Sequence, residues 1–237
     1  MSDLKLEQAY AEVFKKTQVS NNFEVSLLNK SRSLFDFDHV GGVFTPKPLE
    51  VNALVGGLEF SNSLQELAKA VQRRIDEIIQ TNQRYWVRPC NLGIEYLVTK
   101  WPEEPTLSTS IENEFIDHLK SLNLERYLLK IKGFQVNPDG CFVLRGYDGG
   151  RILQVRNTLR EKFGWLPLRQ SGWAHIPLGR ILCNVSAATH RKLVSECEKS
   201  FDAVHFEEPV HEIHYVHEKQ WYMERKYKVE TIQLGAV

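Results

Sequence analysis

A short polar turn between two apolar stretches constrains the fold of this chain more than any other feature of its sequence. Residues 137–140 read Asn-Pro-Asp-Gly, a combination typical of tight turns because proline presets one backbone angle and glycine accepts a positive φ. The flanking stretches, 126–136 and 141–145, are rich in apolar residues. Strands joined by so short a turn run antiparallel, which predicts that antiparallel pairing dominates the sheet structure.

Amphipathic helices are expected between further strands. Ser63–Glu66 and Thr109–Glu112 each match a capping box, and apolar residues follow each of them at helical spacing. The predicted helices span 63–81, 109–122, 152–163 and the residues that follow Ser186. The predicted strands span 51–60, 85–100, 126–136, 141–145, 173–182, 211–217 and 221–234. Because helices alternate with hairpin-forming strands, we expect an α+β fold with antiparallel sheets flanked by helices.

A weak internal repeat indicates two similar lobes. The stretches 86–97 (WVRPCNLGIEYL) and 171–182 (SGWAHIPLGRIL) both pass from a turn into alternating apolar residues. Gly93 and His175 take matching places in them, 82 residues apart (175 − 93). We therefore expect two lobes around a central cleft, with the strands that carry Gly93 and His175 side by side at its centre.

The domain boundaries follow from where this pattern begins. Residues 1–45 offer little beyond a short helix near residues 6–14 and a glycine-containing stretch that begins at residue 35, so we expect an N-terminal extension there. Residues 46–237 are expected to form a single two-lobed domain. A chain of 237 residues suits one large domain or two small lobes.

The composition indicates a cytoplasmic protein. No stretch approaches the roughly 18 apolar residues of a membrane span, and residues 1–16 lack the apolar centre of a signal peptide. Cysteines without paired spacing predict reduced thiols rather than a disulfide framework. The four cysteines are Cys90, Cys141, Cys183 and Cys197.

The charge is balanced overall, with 30 basic and 30 acidic side chains, but it is unevenly distributed. The stretch 145–192 holds nine basic and two acidic residues, a local charge of +7 (9 − 2). One basic face on a neutral protein favours a phosphate-bearing ligand over the coating of a duplex, although a solvated helix face is an equal alternative. We expect at least two of Arg145, Arg169 and Arg180 near the mouth of the cleft, where they are candidates for substrate binding.

One strand carries the sharpest candidate for chemistry, in the string WAHIPLGR over 173–180. Because alternate residues of a strand share a face, His175 and Pro177 should face the cleft while their neighbours enter the core. A histidine there can exchange a proton near neutral pH, and Arg180 can meet a phosphate with two hydrogen bonds. The alternative is a histidine that only forms a structural hydrogen bond.

These residues resemble the two-histidine (2H) phosphoesterases, a superfamily that includes 2′-5′ RNA ligase-like proteins and cyclic phosphodiesterases. Its members carry two His-x-Thr/Ser motifs, one in each lobe, and the second often continues as His-x-Thr-Leu-x-Arg. This chain has His-Ile-Pro-Leu-Gly-Arg over 175–180, and residues 212–234 are similar to the family's closing hairpin. The resemblance implies hydrolysis of 2′,3′-cyclic nucleotides or RNA ends, with His175 as acid or base and an RNA or nucleotide phosphate as ligand.

The first motif departs from the family. Where members read Pro-x-Asn-Leu-His-x-Thr, this chain reads Pro-Cys-Asn-Leu-Gly-Ile-Glu over 89–95. Gly93 thus replaces the first histidine, Glu95 replaces a hydroxyl residue, and Pro177 replaces the other. Glu95 is the remaining candidate base, yet a carboxylate repels phosphate. We therefore expect reduced or lost phosphodiesterase activity, and a non-catalytic RNA- or nucleotide-binding module or a protein-interaction module is the alternative.

Two further groups are candidates for binding. Trp173, Trp86 and Tyr85 precede or begin the motif strands and can stack on a base, although aromatic residues at such positions more often enter the core. The histidines near the C-terminus do not show the spacing of metal ligands on one face of a strand. We expect neither a metal nor a cofactor.

Overall fold

The computed structural model describes residues 3–235, which form helices and antiparallel sheets. The helices are α1 (Asp3–Val19), α2 (Val25–Arg32), α3 (Asn62–Asp76), α4 (Thr109–Ser121), α5 (Arg151–Lys162) and α6 (Ala187–Ala203). The strands are β1 (Phe35–Asp38), β2 (Val43–Pro46), β3 (Pro48–Gly56), β4 (Arg84–Trp86), β5 (Ile94–Lys100), β6 (Tyr127–Val136), β7 (Cys141–Tyr147), β8 (Ile176–Ile181), β9 (His205–Val210), β10 (Glu212–Gln220) and β11 (Arg225–Gln233).

Two antiparallel sheets build the molecule and confirm the α+β prediction. A four-stranded sheet has the order β11-β10-β3-β5, and a five-stranded sheet has the order β4-β8-β7-β6-β9. Within each sheet every pairing is antiparallel, including the β6–β7 hairpin at the Asn-Pro-Asp-Gly turn. The strands β1 and β2 form a separate small hairpin.

Helices cover both sheets and bury their apolar faces. Helix α5 contacts β5 of the four-stranded sheet, whereas α6 and α1 contact β6 of the five-stranded sheet. Helix α1 enters the core through Tyr10, which is fully buried and whose hydroxyl donates a hydrogen bond to the carbonyl of Gly146. No helix within residues 3–235 combines the length and the apolar character that crossing a membrane requires.

Several element boundaries differ from the sequence-based expectations. The side chains of Ser61 and Ser108 cap α3 and α4, one or two residues before the predicted capping boxes. Ser186 caps α6 as predicted. The predicted strand over 85–100 is two strands, because Pro89 begins a short 3-10 turn between β4 and β5. Because helix caps depend on local side chains, the sequence predicts the start of each helix to within one turn.

The expectation that the two motif strands lie side by side is wrong. Strand β5 forms the edge of the four-stranded sheet, whereas β8 lies between β4 and β7 in the five-stranded sheet. Strand β5 pairs only with β3 among the described strands, whereas β8 pairs with β4 and β7. The two strands consequently face each other from separate sheets.

A pair of matching β-bulges supports the internal repeat. Tyr96 is the extra residue in β5, since Leu54 pairs with Leu97 and Val55 pairs with Glu95. Leu178 is the extra residue in β8, since Phe142 pairs with Gly179 and Val143 pairs with Pro177. These bulges are 82 residues apart (178 − 96), the same offset as Gly93 and His175. A bulge redirects the side chains that follow it, and each of these lies one residue after a motif.

Candidate functional site

A small cavity lies between the two sheets and brings both motifs together. Its volume is about 130 Å³. Gly93, Glu95, His175 and Pro177 all line it, so the facing geometry expected from the sequence is present. The other lining residues are mainly apolar: Val51, Ala53, Val55, Val87, Asn91, Val98, Trp101, Val216, Glu218, Trp221, Tyr222 and Met223. None of these described lining residues is a lysine or an arginine.

His175 contributes a neutral imidazole to the cavity. Strand alternation places it as predicted, because its neighbours Ala174 and Ile176 are buried in the core. Its ring lies edge-on to Trp173, with the ring centres 5.7 Å apart, and its Nδ1 has no hydrogen-bond partner among the described residues. Burial lowers the pKa of His175 to about 4. The ring is therefore neutral at neutral pH and lacks the acidic imidazolium proton that a leaving group would need.

Two carboxyl groups share the cavity with this histidine. Glu95 accepts a hydrogen bond from the backbone N–H of Ser171 at 3.2 Å, and burial raises its pKa. Glu218 accepts one from the backbone N–H of Met223 at 2.7 Å. Burial, with a smaller contribution from the charge of Glu95, raises the pKa of Glu218 to about 7. At neutral pH the pair therefore carries a proton on Glu218 for about half of the time.

Sequence reasoning missed Glu218, although a signal for it exists. In β10 it lies two residues after Val216. Glu218 pairs with Val51 of β3, and Val216 pairs with Ala53. These three valine and alanine residues are buried and line the cavity. A residue two positions along a strand from a buried valine shares its face, so alternation places Glu218 on the face of Val216, and the pairing of β10 with β3 brings that face to the cavity.

The turn between β10 and β11 forms one wall of the cavity under backbone strain. Tyr222 and Met223 have φ values of 59° and 54°, in the left-handed region that non-glycine residues rarely occupy. Each residue in this conformation costs about 1–3 kcal/mol of folding free energy, and it persists only where surrounding contacts hold it. Here Arg180 donates to the Tyr222 hydroxyl at 3.0 Å, and the Glu218 carboxylate holds the Met223 N–H.

Met223 fills the place that a side chain at Gly93 would take. A β-carbon built on Gly93 would lie 3.1 Å from the terminal methyl group of Met223. It would also lie 3.4 Å from the carbonyl oxygen of Gly56. The larger ring of a histidine would have to displace the methionine methyl. The strained turn thus fills the position where the resemblance expects the first histidine.

The predicted arginines are only partly where the sequence placed them. Arg180 does not line the cavity, and its guanidinium donates to Tyr222 at 3.0 Å and to Asp139 at 2.8 Å. The prediction for Arg145 is wrong, because this buried side chain is ion-paired with Glu7 of α1, away from the cavity. The sequence pattern did not indicate that α1 packs beside Arg145.

Arg169 and Trp173 also differ in placement. The guanidinium carbon of Arg169 lies 4.1 Å from the ring centre of Trp101, a cavity residue, and its side chain is 63% exposed. This arginine therefore lies at the mouth. Trp173 does not line the cavity, because its ring packs edge-on against Tyr10 with centres 5.1 Å apart. It supports the His175 ring and is not placed to stack on a ligand in the cavity.

The described residues contain no group of three or more histidine, cysteine or acidic side chains that could hold a metal ion. The strand histidines have carboxylate partners instead: His217 with Glu112 at 2.6 Å, and His214 with Glu212 at 3.2 Å. The chemistry within reach of the cavity is consequently that of two carboxyl groups and one neutral imidazole.

Solved structures share this fold. The crystal structure of TT0787 from Thermus thermophilus has a TM-score of 0.52 at 14% identity and covers 78% of this chain and 97% of that one. A phosphoesterase crystal structure has a TM-score of 0.52 at 12% identity, with coverage of 78% and 98%. E. coli LigT complexed with 3′-AMP has a TM-score of 0.51 at 13% identity, with coverage of 79% and 99%. No family model and no curated protein matches the sequence.

Proposed function

We propose that the protein binds a nucleotide or an RNA end in the cleft between its lobes and has lost 2′,3′-cyclic phosphodiesterase activity. The similarity of its fold to E. coli LigT and to a phosphoesterase supports a 2H phosphoesterase-like scaffold. The proposal makes it a non-catalytic binding protein on a phosphoesterase-like scaffold. Its compartment would be the cytoplasm, in keeping with cysteines that are all unpaired in the described structure.

The observation that carries the loss of activity is the absence of a side chain at Gly93. Hydrolysis of a cyclic phosphate needs one group that removes a proton from water and another that protonates the leaving oxygen. The resemblance expects one of these groups at position 93, where the terminal methyl group of Met223 would lie 3.1 Å from an added β-carbon. The other group, His175, has a pKa that burial lowers to about 4, so at neutral pH it is a weak base and has no imidazolium proton for the leaving oxygen.

The support for a nucleotide comes from the fold and from the charge at the mouth. One structure of similar fold, E. coli LigT, was solved with 3′-AMP. Two basic side chains contact residues that line the cavity: Arg169 stacks on Trp101, and Lys226 donates to Asn91 at 2.7 Å. Neither cation lines the apolar cavity, so each is available to a phosphate outside it; Arg169 also lies 3.6 Å from the carboxylate of Glu103.

A second candidate function rests on Glu218. Its pKa of about 7 is that of an effective acid or base at neutral pH, and it lines the same cavity as His175. Residual hydrolysis through this pair would make the protein a slow phosphodiesterase. Loss of turnover in both His175→Ala and Glu218→Gln would identify that pair as the catalytic residues.

Titration of the protein with a short single-stranded RNA at several salt concentrations tests the proposal. Two phosphate contacts on a single strand should weaken binding about sevenfold between 50 and 200 mM salt. Arg169→Ala should reduce both the affinity and the salt dependence. Lys69→Ala, which removes a lysine on α3 that is paired with Glu66, is the matched control and should change neither. Absence of binding at low salt, or binding that ignores salt, would count against a nucleic-acid ligand.

A further inference from the structure

The cavity has the size and the walls for one flat ring. Its 130 Å³ are close to the roughly 150 Å³ of an engineered protein cavity that holds a benzene molecule. Valine and alanine side chains of β3 and β10 form one wall. Trp101, Trp221 and Tyr222 add aromatic surface. A whole nucleotide exceeds this volume, so only one part of it can enter.

The cavity offers both acceptors and donors of hydrogen bonds. Glu95 and Glu218 each use Oε1 to hold a backbone N–H, and in both the Oε2 atom has no partner among residues 3–235. The buried donors Asn91 Nδ2 and Trp221 Nε1 are likewise without a partner in the described chain. A ligand that brings N–H donors for the carboxyl groups and acceptors for Asn91 and Trp221 therefore matches the cavity.

A phosphate is poorly suited to the same space. Two carboxyl groups repel an anion, and none of the described lining side chains is a cation that could offset this repulsion. Pro177 supplies neither a hydroxyl group nor a backbone N–H at the second motif. The cations of this region, Arg169 and Lys226, contact Trp101 and Asn91 at the rim instead.

We propose that the cavity takes the base of the bound nucleotide, specifically a base with an exocyclic amino group, while the phosphate remains at the mouth beside Arg169 and Lys226. Adenine, cytosine and guanine each carry such an amino group on their six-membered ring, which is the ring that enters the cavity, and uracil carries none. The amino group would donate to Glu95 and Glu218, as carboxylates accept from the amino group of cytosine in nucleic-acid recognition. This inference rests on the proposed function, because it assigns an orientation to a nucleotide in the same cleft.

Calorimetric titration with AMP, CMP, GMP and UMP tests the orientation. The three amino-bearing nucleotides should bind about tenfold or more tightly than UMP, since a hydrogen bond to a charged group is lost with uracil. The double variant Glu95→Gln/Glu218→Gln should reduce this preference to less than about threefold. Glu59→Gln, which changes an exposed carboxylate outside the cavity, is the control and should retain the full preference. Thermal melting confirms that each variant is folded.

The outcomes separate this inference from the function on which it rests. Equal affinity for all four nucleotides, with inorganic phosphate competing for the site and no effect of the double variant, would overturn the base-first orientation and leave nucleotide binding intact. Absence of binding by any of the four nucleotides at low salt would overturn both. Amino-selective binding that the double variant reduces supports both.

Discussion

At the scale of single residues, the cleft differs from a phosphate site through a few substitutions. Alternation along two strands was enough to predict that Gly93, Glu95, His175 and Pro177 face one cavity. Glu218 and Met223 were not predicted, because their positions depend on how the last hairpin pairs with β3, more than 150 residues earlier. Individual side chains were therefore predictable where they belong to a motif strand, and not where a distant element brings them in.

Glu218 also makes stability depend on pH. Burial raises its pKa from 4.5 to about 7, so the folded protein holds the proton more tightly than the unfolded chain. Protonation therefore stabilises the fold fully below about pH 4.5, and this contribution is lost as the pH rises through 7. The neighbouring groups that act on Glu218 are Glu95, which raises its pKa, and Lys226, which lowers it.

Glu218→Gln should therefore increase the free energy of unfolding at pH 8, by up to about 3 kcal/mol, and should have little effect near pH 4.5. Glutamine keeps a carbonyl oxygen for the Met223 N–H, so the turn remains held. Urea unfolding at a series of pH values measures the difference. The control is Glu207→Gln, at an exposed position of β9. A variant that is less stable than the parent at pH 8 would show that the Glu218 carboxylate is not destabilised by burial.

At the scale of elements, the hairpin of β10 and β11 closes the site. The sequence predicted both strands and the likeness to a closing hairpin, but it contains no glycine or asparagine at the turn to indicate positive φ values there. The bulges after Glu95 and Pro177 were also not predictable, because a bulge is defined by the register of the partner strand. Local propensity thus gave the elements and their order, whereas tertiary pairing determined how their side chains are directed.

The position of Met223 in this turn affects which substitutions could introduce catalysis in the cavity. Gly93→His, Glu95→Thr and Pro177→Thr introduce the residues that the resemblance implies, but a side chain at position 93 comes close to the Met223 methyl group. Adding Met223→Ala should release that space and raise hydrolysis of a 2′,3′-cyclic nucleotide by about 10²-fold or more over the unmodified protein, the contribution of one proton-transfer group. The triple variant without Met223→Ala is the matched control and should remain much slower. Equal rates in the two variants would show that Met223 does not obstruct the position.

At the scale of the whole molecule, two antiparallel sheets face each other across a cleft that is lined by both motifs. The α+β class and the two lobes were predictable, since turn signals and helical spacing are local. The assignment of β5 and β8 to separate sheets was not predictable, because each sheet is assembled from strands that are far apart in the chain, such as β3 with β10. Helix α1 packs against the five-stranded sheet, where Tyr10 is fully buried. The sequence indicated only a short helix there.

The most direct test of the account follows a 2′,3′-cyclic nucleotide by ³¹P NMR in the presence of an excess of the unmodified protein. Binding without catalysis predicts that the cyclic phosphate signal shifts or broadens, and that no 2′- or 3′-monophosphate signal grows with time. The variant His175→Ala should likewise produce no monophosphate signal. Growth of a monophosphate signal that His175→Ala abolishes would contradict the account and show that the cleft is an active phosphodiesterase site.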